Sequence, residues 1–270
     1  MAEEIAVVVR TQDMTRRFGE LTAVDALSLS VEAGEIFGLL GRNGAGKTTL
    51  IRMLTTLLRP TSGSATVAGY DVVRQAADVR RAIGYVPQAL SADGELTGYE
   101  NLWIFAKLYD IPRAEREARI RDGLAFMGLA EAANKLVNTY SGGMIRRLEI
   151  AQSMLHRPKV LFLDEPTLGL DPVAREAVWE HIERLRADYD TTIFLTTHYM
   201  DEAEHLCGRV AILRQGKAIA IGTLNELKAA IGGEDVTLDD VFVHYTGDAL
   251  EGGGEYRETA TMRRAVKRLR

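Results

Sequence analysis

The chain has 270 residues, is 46 % hydrophobic and 26 % charged, and carries a formal net charge of −5. That length suits one large domain or a core with a small appendage, and the acidic balance argues against a general nucleic-acid binder. No apolar run approaches the roughly 20 residues of a membrane span, the start lacks the basic segment of a signal peptide, and the single cysteine, Cys207, has no partner for an internal disulfide, as suits a reducing cytoplasm.

Residues 5–9 and 26–31 carry strand-type patterns. The apolar run 36–40 predicts a buried strand, and a helix follows from Lys47 to about Leu58 with Leu50, Ile51 and Leu54 on one face. Arg59-Pro60-Thr61-Ser62-Gly63 predicts a turn, 64–68 a strand and 83–87 another. Residues 98–130 read as helical, with Leu102, Phe105, Ala106 and Tyr109 on one face. Ser141 caps a helix running to His156, and 159–164 is a buried strand ending in a carboxylate. A helix over 172–187 has proline in its first turn, and 191–197 and 210–213 are strands. Cys207 reads as a small buried hydrophobe near the end of a helix. This alternation through 36–215 predicts an α/β fold with a parallel sheet and helices on both faces. Beyond Thr223 come two short helical stretches, 224–231 and 238–244, and a Gly-rich break at 251–254. The tail 255–270 has six basic side chains against two acids. It reads as a solvated helix, with contact to a lipid headgroup surface or a partner subunit as the alternative.

Gly41-Arg42-Asn43-Gly44-Ala45-Gly46-Lys47-Thr48-Thr49 fits Gly-x-x-x-x-Gly-Lys-Ser/Thr without a gap, between a strand and a helix. Glycine lets the backbone turn tightly and bring its N–H groups to phosphate oxygens. Lys47 can reach the β- and γ-phosphates, and the Thr48 hydroxyl can enter the shell of a Mg2+ that bridges them. The helix N-terminus adds its positive dipole end.

Two further motifs bear on the same chemistry. Asp164 and Glu165 close the strand Val160-Leu161-Phe162-Leu163. Alone the pair reads as a solvated strand end. After a phosphate loop it reads as a Mg2+ ligand, Asp164, followed by a base for the attacking water, Glu165. Tyr140-Ser141-Gly142-Gly143-Met144 opens a helix whose N-terminus two glycines leave bare, which suits an anion.

Taken in order, these motifs resemble those of the nucleotide-binding subunit of an ABC transporter, over roughly residues 5–245. The resemblance implies a P-loop NTPase with ABC ATPase architecture: a parallel-sheet core, an antiparallel β subdomain and a helical subdomain at about 89–157. It divides the chain into an ATPase domain, 1–222, and a C-terminal extension with the basic tail, 223–270. It further implies a head-to-tail dimer with a second ATPase subunit. ATP would lie between the phosphate loop of one subunit and Ser141-Gly142-Gly143 of the other, with Asp171 meeting the opposite subunit. His198 resembles the switch histidine that contacts the γ-phosphate; by itself it reads as a satisfied strand-end histidine. Gln88 resembles the glutamine that reaches Mg2+ or the water; by itself it is an ordinary loop residue. Phe18 fits the aromatic that stacks on adenine, or else an edge-strand core aromatic.

The sequence departs from the common pattern in two places. Tyr140-Ser141-Gly142-Gly143-Met144 replaces the usual Leu-Ser-Gly-Gly-Gln, and Arg42 stands where many relatives have proline. The first variant, with Arg146-Arg147-Leu148 after it and Leu238-Asp239-Asp240-Val241-Phe242 near the C-terminus, resembles drug exporters of the daunorubicin-resistance type. The implied function is ATP hydrolysis that drives efflux through separate membrane-spanning permease subunits, from the cytoplasmic face of the membrane. No nucleic acid is expected as a partner. The permease would dock on 89–108, with Tyr99 and Trp103 exposed and Phe105 in the core. A soluble ABC ATPase acting on non-membrane partners is the alternative. The chain between Gln88 and Ser141 is too short for the coiled coils of chromosome-maintenance ATPases.

Overall fold

The computed structural model describes residues 6–232 and 235–247. The first half runs β1 (Val7–Phe18), β2 (Leu21–Glu32), β3 (Ile36–Leu40), α1 (Lys47–Leu54), β4 (Ser62–Val67), β5 (Tyr70–Asp71), α2 (Ala76–Ala82), β6 (Ile83–Val86), α3 (Gly98–Leu108) and α4 (Arg113–Phe126). The second half runs α5 (Gly142–Met154), β7 (Val160–Asp164), α6 (Pro172–Tyr189), β8 (Thr192–Thr197), α7 (Met200–Leu206), β9 (Arg209–Arg214), β10 (Lys217–Thr223), α8 (Leu224–Ile231) and α9 (Leu238–Thr246). The basic tail and the Gly-rich break lie outside the described residues.

Two sheets form. One is antiparallel, in the order β2-β1-β4-β5. The other has the order β10-β9-β3-β8-β7-β6, parallel throughout except for β10 at its edge. Strands β3, β7 and β8 are buried along their whole length, so β3 and residues 160–163 of β7 are apolar on both faces rather than alternating.

The alternation of side chains sorts the interior into two layers. Phe37 and Leu39 of β3 join Phe162, Phe194, Leu50, Ile51, Leu54 and the inner face of the antiparallel sheet. Ile36 and Leu40 of the same strand face the opposite side, against α3–α7 and the two C-terminal helices. The parallel register sets Phe37 and Phe162 on either side of Phe194, with ring centroids 5.5 Å apart in both pairs. Helices α8 and α9 share the second layer, where Leu227, Leu238, Val241 and Phe242 are buried. Cys207 is buried there too, as expected of it.

Several boundaries differ from the sequence expectation. The helical stretch 98–130 is two helices, because Pro112 sits at the N-cap of α4, where its ring fits, and cannot continue α3. The helix after the phosphate loop stops at Leu54, four residues short of the expected end. The sequence pattern predicts neither α2 nor β10. Helix α2 has seven residues, and β10 is a half-exposed edge strand ordered by pairing with β9. Cys207 caps the end of α7, where the sequence predicts a helix end. In α3, Leu102 and Ala106 are buried, Phe105 is packed partly buried against the core, and Trp103 stays 39 % exposed.

This topology fixes where chemistry can happen. Strand β3 lies between β8 and β9, and β8 lies between β3 and β7. The C-terminal ends of three neighbouring parallel strands therefore deliver the phosphate loop, the carboxylate pair and His198 to one edge, the usual place for a ligand in such a sheet.

Phe194→Ala removes the middle ring of the row and is expected to cost about 3–5 kcal/mol of stability. Urea unfolding measures it, and a loss below about 1 kcal/mol would show that the row does not carry this layer.

Candidate active site

The phosphate loop is shaped by glycines that no other residue could replace. Gly46, at φ +107°, is the N-cap of α1, and a Cβ on it would lie 2.4 Å from the Ala23 carbonyl oxygen. Gly41 is packed as tightly: a Cβ there would meet the Leu213 carbonyl oxygen at 2.8 Å. No side chain caps α1 and no acid stands in its first turn, so its leading N–H groups are left for an anion. Asn43 and Gly44 are exposed at the tip, Ala45 is buried, and Thr48 and Thr49 are partly exposed.

Lys47 is buried and its Nζ donates to the Gly41 carbonyl at 2.7 Å and the Arg42 carbonyl at 3.3 Å. It also lies 3.1 Å from Glu165 Oε1. His198 Nδ1 lies 3.2 Å from the other oxygen of the same carboxylate. Burial works to raise the Glu165 carboxyl, but the neighbouring His198 and Lys47 outweigh it and hold its pKa below the ordinary value. Glu165 is thus kept ionised, as a proton acceptor must be. Its backbone is in the left-handed region at φ +49°, a conformation costing about 1–3 kcal/mol in a non-glycine residue. Its amide is fixed there by the Thr196 carbonyl at 3.1 Å and the Thr196 hydroxyl at 3.0 Å.

Asp164 is in the opposite state. Burial pushes its carboxyl up, against hydrogen bonds to Oδ1 from the hydroxyls of Thr196 at 2.7 Å and Thr48 at 3.1 Å. Its Oδ2 is buried with no hydrogen-bond partner. A carboxylate oxygen left over beside a threonine hydroxyl is a donor set that fits Mg2+, which takes oxygen ligands and keeps several waters. The two carboxylates therefore act on stability with opposite signs. Depressed Glu165 stabilises the fold above the ordinary carboxylate pKa, and that contribution is lost as pH falls. Raised Asp164 favours the fold when protonated, and that contribution is lost as pH rises through its folded-state pKa.

The structure brings Lys47 and His198 to Glu165, and Thr48 to the adjacent Asp164. It does not draw in the rest. Ser141 is exposed and caps α5, its hydroxyl accepting from the Met144 amide at 3.3 Å. Asp171 is exposed and caps α6 through the amides of Val173 and Ala174, both at 3.0 Å. Gln88 is exposed on the loop after β6. Phe18 is 44 % exposed at the end of β1, so it is not a core aromatic, and the Arg16 guanidinium sits 4.5 Å over its ring.

Sequence reading missed Thr196, which braces both carboxylates. Its signal was a hydroxyl near the end of a wholly buried strand. It missed Glu202, fully buried on α7, which accepts from the Thr167 hydroxyl at 2.7 Å and the Trp179 indole at 3.0 Å. Glu202 thereby ties the loop after Glu165 to α6 and to the segment after His198.

A glycine loop between strand and helix, beside one strand ending in two carboxylates and another ending in histidine, defines a P-loop nucleotide hydrolase. The family described as ABC transporter matches residues 24–168, and the chain belongs to it. Its similarity to two ATP-binding proteins of daunorubicin-resistance type is close. One is daunorubicin resistance ATP-binding protein DrrA3 of Streptomyces coeruleorubidus, 46 % identical over 82 % of this chain and 70 % of the relative. The other is daunorubicin/doxorubicin resistance ATP-binding protein DrrA of Streptomyces peucetius, 48 % identical over 83 % of this chain and 68 % of the relative. The solved structure of an ATP-binding subunit of an ABC transporter superimposes with a TM-score of 0.79 at 30 % identity, covering 88 % of this chain and 99 % of that one. This is an ATP-binding ATPase subunit whose hydrolysis is coupled to transport and which works with membrane permease subunits. Among the described residues no helix is long and apolar enough to cross a membrane.

Asp164→Asn keeps the acceptor for Thr48 and Thr196 and removes the buried charge. It is expected to raise the melting temperature at neutral pH by about 2–4 °C while abolishing Mg2+-dependent turnover. A lowered melting temperature, read by calorimetry, would contradict the burial argument.

Proposed function

We propose that the chain powers efflux of a drug, lipid or other hydrophobic compound through membrane-spanning permease subunits, as a peripheral protein on the cytoplasmic face of the cell membrane. The names of its relatives, which refer to daunorubicin and doxorubicin resistance, support an exporter of this kind. The observation that carries the hydrolytic reading is the chain of contacts from Lys47 through Glu165 to His198, with Thr48 on Asp164 beside it.

In this reading the backbone of Gly41, Asn43, Gly44, Ala45 and Gly46 cradles the phosphates, and Lys47 and the Thr49 hydroxyl add to them. Thr48, Asp164 and Gln88 would hold Mg2+, which would offset the negative charge of the phosphoryl oxygens. Glu165 accepts the proton of the attacking water. His198 keeps that carboxylate oriented and meets the γ-phosphate. Phe18 offers its exposed face to adenine, a contact tolerant of the base. Ser141, Gly142 and Gly143 present a bare helix end to the γ-phosphate of a second subunit, with Asp171 at the same interface. The exposure of Ser141, Gly142 and Asp171 and their distance in the chain from the phosphate loop support a head-to-tail dimer. Residues 1–222 make up the ATPase unit, with a helical part at about 89–157, and 223–270 an extension.

The exposed apolar side chains Leu90, Trp103, Ile104 and Leu108 support permease docking on α3 and the loop before it. Lys107 lies 3.8 Å over the Trp103 ring and covers part of that surface.

Glu165→Gln preserves the side chain's volume and removes the proton acceptor. It is expected to retain ATP binding and to slow hydrolysis by about 10^2–10^4-fold, while Lys47→Ala weakens ATP binding itself. Steady-state turnover and nucleotide titration measure both, and hydrolysis at the native rate in the glutamine variant would remove Glu165 from its role. The tagged chain, purified from detergent-treated membranes, is expected to bring an integral membrane protein with it. Recovery with soluble partners alone would count against the exporter.

A further inference from the structure

Helix α5 begins at Ser141-Gly142-Gly143 and buries a polar stripe. Arg146, Glu149 and Gln152, three residues apart on one face, are each at most 3 % exposed. At that spacing a core-facing helix normally carries apolar residues. The reason for the stripe lies in what it faces. The segment between β6 and α3 is irregular, and its buried backbone groups have no ladder to bond. Arg146 Nη1 donates to the Pro87 carbonyl at 2.7 Å, and Nη2 donates to the Gln88 carbonyl at 2.8 Å. Nη1 is also 3.0 Å from Glu149 Oε2. Glu149 Oε1 accepts from the Ser91 amide and, at 3.1 Å, from the Ser91 hydroxyl. Gln152 donates to Asn101 Oδ1 at 3.2 Å, and Asn101 in turn bonds both backbone groups of Asp93, at 3.0 and 2.9 Å.

One helix therefore presents its Ser141-Gly142-Gly143 N-terminus at one end and grips the Gln88 loop along its side. The grip is specific to arginine. Two carbonyls and a carboxylate around one planar fork match guanidinium geometry, which a lysine point charge cannot span.

We propose that Arg146 and Glu149 are positioning residues that make the Gln88 loop and the Ser141-Gly142-Gly143 helix end move as one body. A displacement at the permease-docking surface, which starts at the same loop, would then be delivered directly to the residues that meet the γ-phosphate across the dimer. This rests on the reading of Gln88 and Ser141–Gly143 as nucleotide-site residues.

Three forms of the full-length chain test it: unsubstituted, R146K and R146M/E149L. The double variant replaces the pair by apolar volume, so no charge is left buried alone. Hydrogen exchange is read at 87–93, and ATP turnover is measured on the purified chain and on membranes that contain it. The expected result is exchange at 87–93 faster by about tenfold in both variants. With it, kcat falls by about tenfold while KM for ATP stays within about twofold, and lysine fails to rescue. A purely structural ion pair would shift the melting temperature, leave kcat alone and be served by lysine. Unchanged exchange at 87–93 in the double variant, or faster exchange with native kcat, would overturn the proposal. Absence of turnover in the unsubstituted chain would instead sink the hydrolytic reading beneath it, whatever the exchange data.

Discussion

Holding Lys47, Asp164 and Glu165 buried together at the C-terminal edge of five parallel strands is the constraint on which the rest of this structure depends. A lone buried charge is far too costly to keep, and a buried pair survives only with good geometry and further hydrogen bonds. The fold meets the condition by convergence. Lys47 is shared between two loop carbonyls and Glu165, Thr196 braces both acids, and His198 closes the far side of Glu165. Asp164 keeps a buried oxygen without a hydrogen-bond partner and a raised pKa, and it is the member best suited to a divalent cation.

The strands below supply the rigidity this convergence needs. Their register aligns the three phenylalanine rings one layer beneath the carboxylates, and close-packed interiors transmit strain rather than absorb it. That is the setting in which Glu165 can be held at a positive φ. The glycines of the phosphate loop answer to the same packing: Gly46 is glycine because the Ala23 carbonyl lies where a Cβ would go.

Away from the strand ends, polar side chains take over the role that ladders play inside the sheet. Arg146, Glu149 and Gln152 satisfy a loop that has no regular structure. Glu202 does the same between α6, α7 and the loop after Glu165. In both cases a buried charged or polar side chain marks a segment that must be held in place without being part of a sheet, and both segments flank the candidate catalytic groups.

The sequence by itself determined the parallel core, the phosphate loop, the cap Ser141, and the strand that ends in Asp164, because each is written in a local run of residue types. Local propensity also placed α8 correctly, since Thr223 and Glu226 form a capping box. It over-ran at Pro112, where a helical composition hid a chain break, and it passed over α2 and β10, which are too short or too exposed to show a period. Only the tertiary structure decided that Thr196 braces the carboxylates, that Lys47 and His198 flank one of them, and that Arg146 reaches back to Gln88. Those contacts join residues from 31 to 118 positions apart. Strand order and register set them, and no local pattern in the chain encodes either.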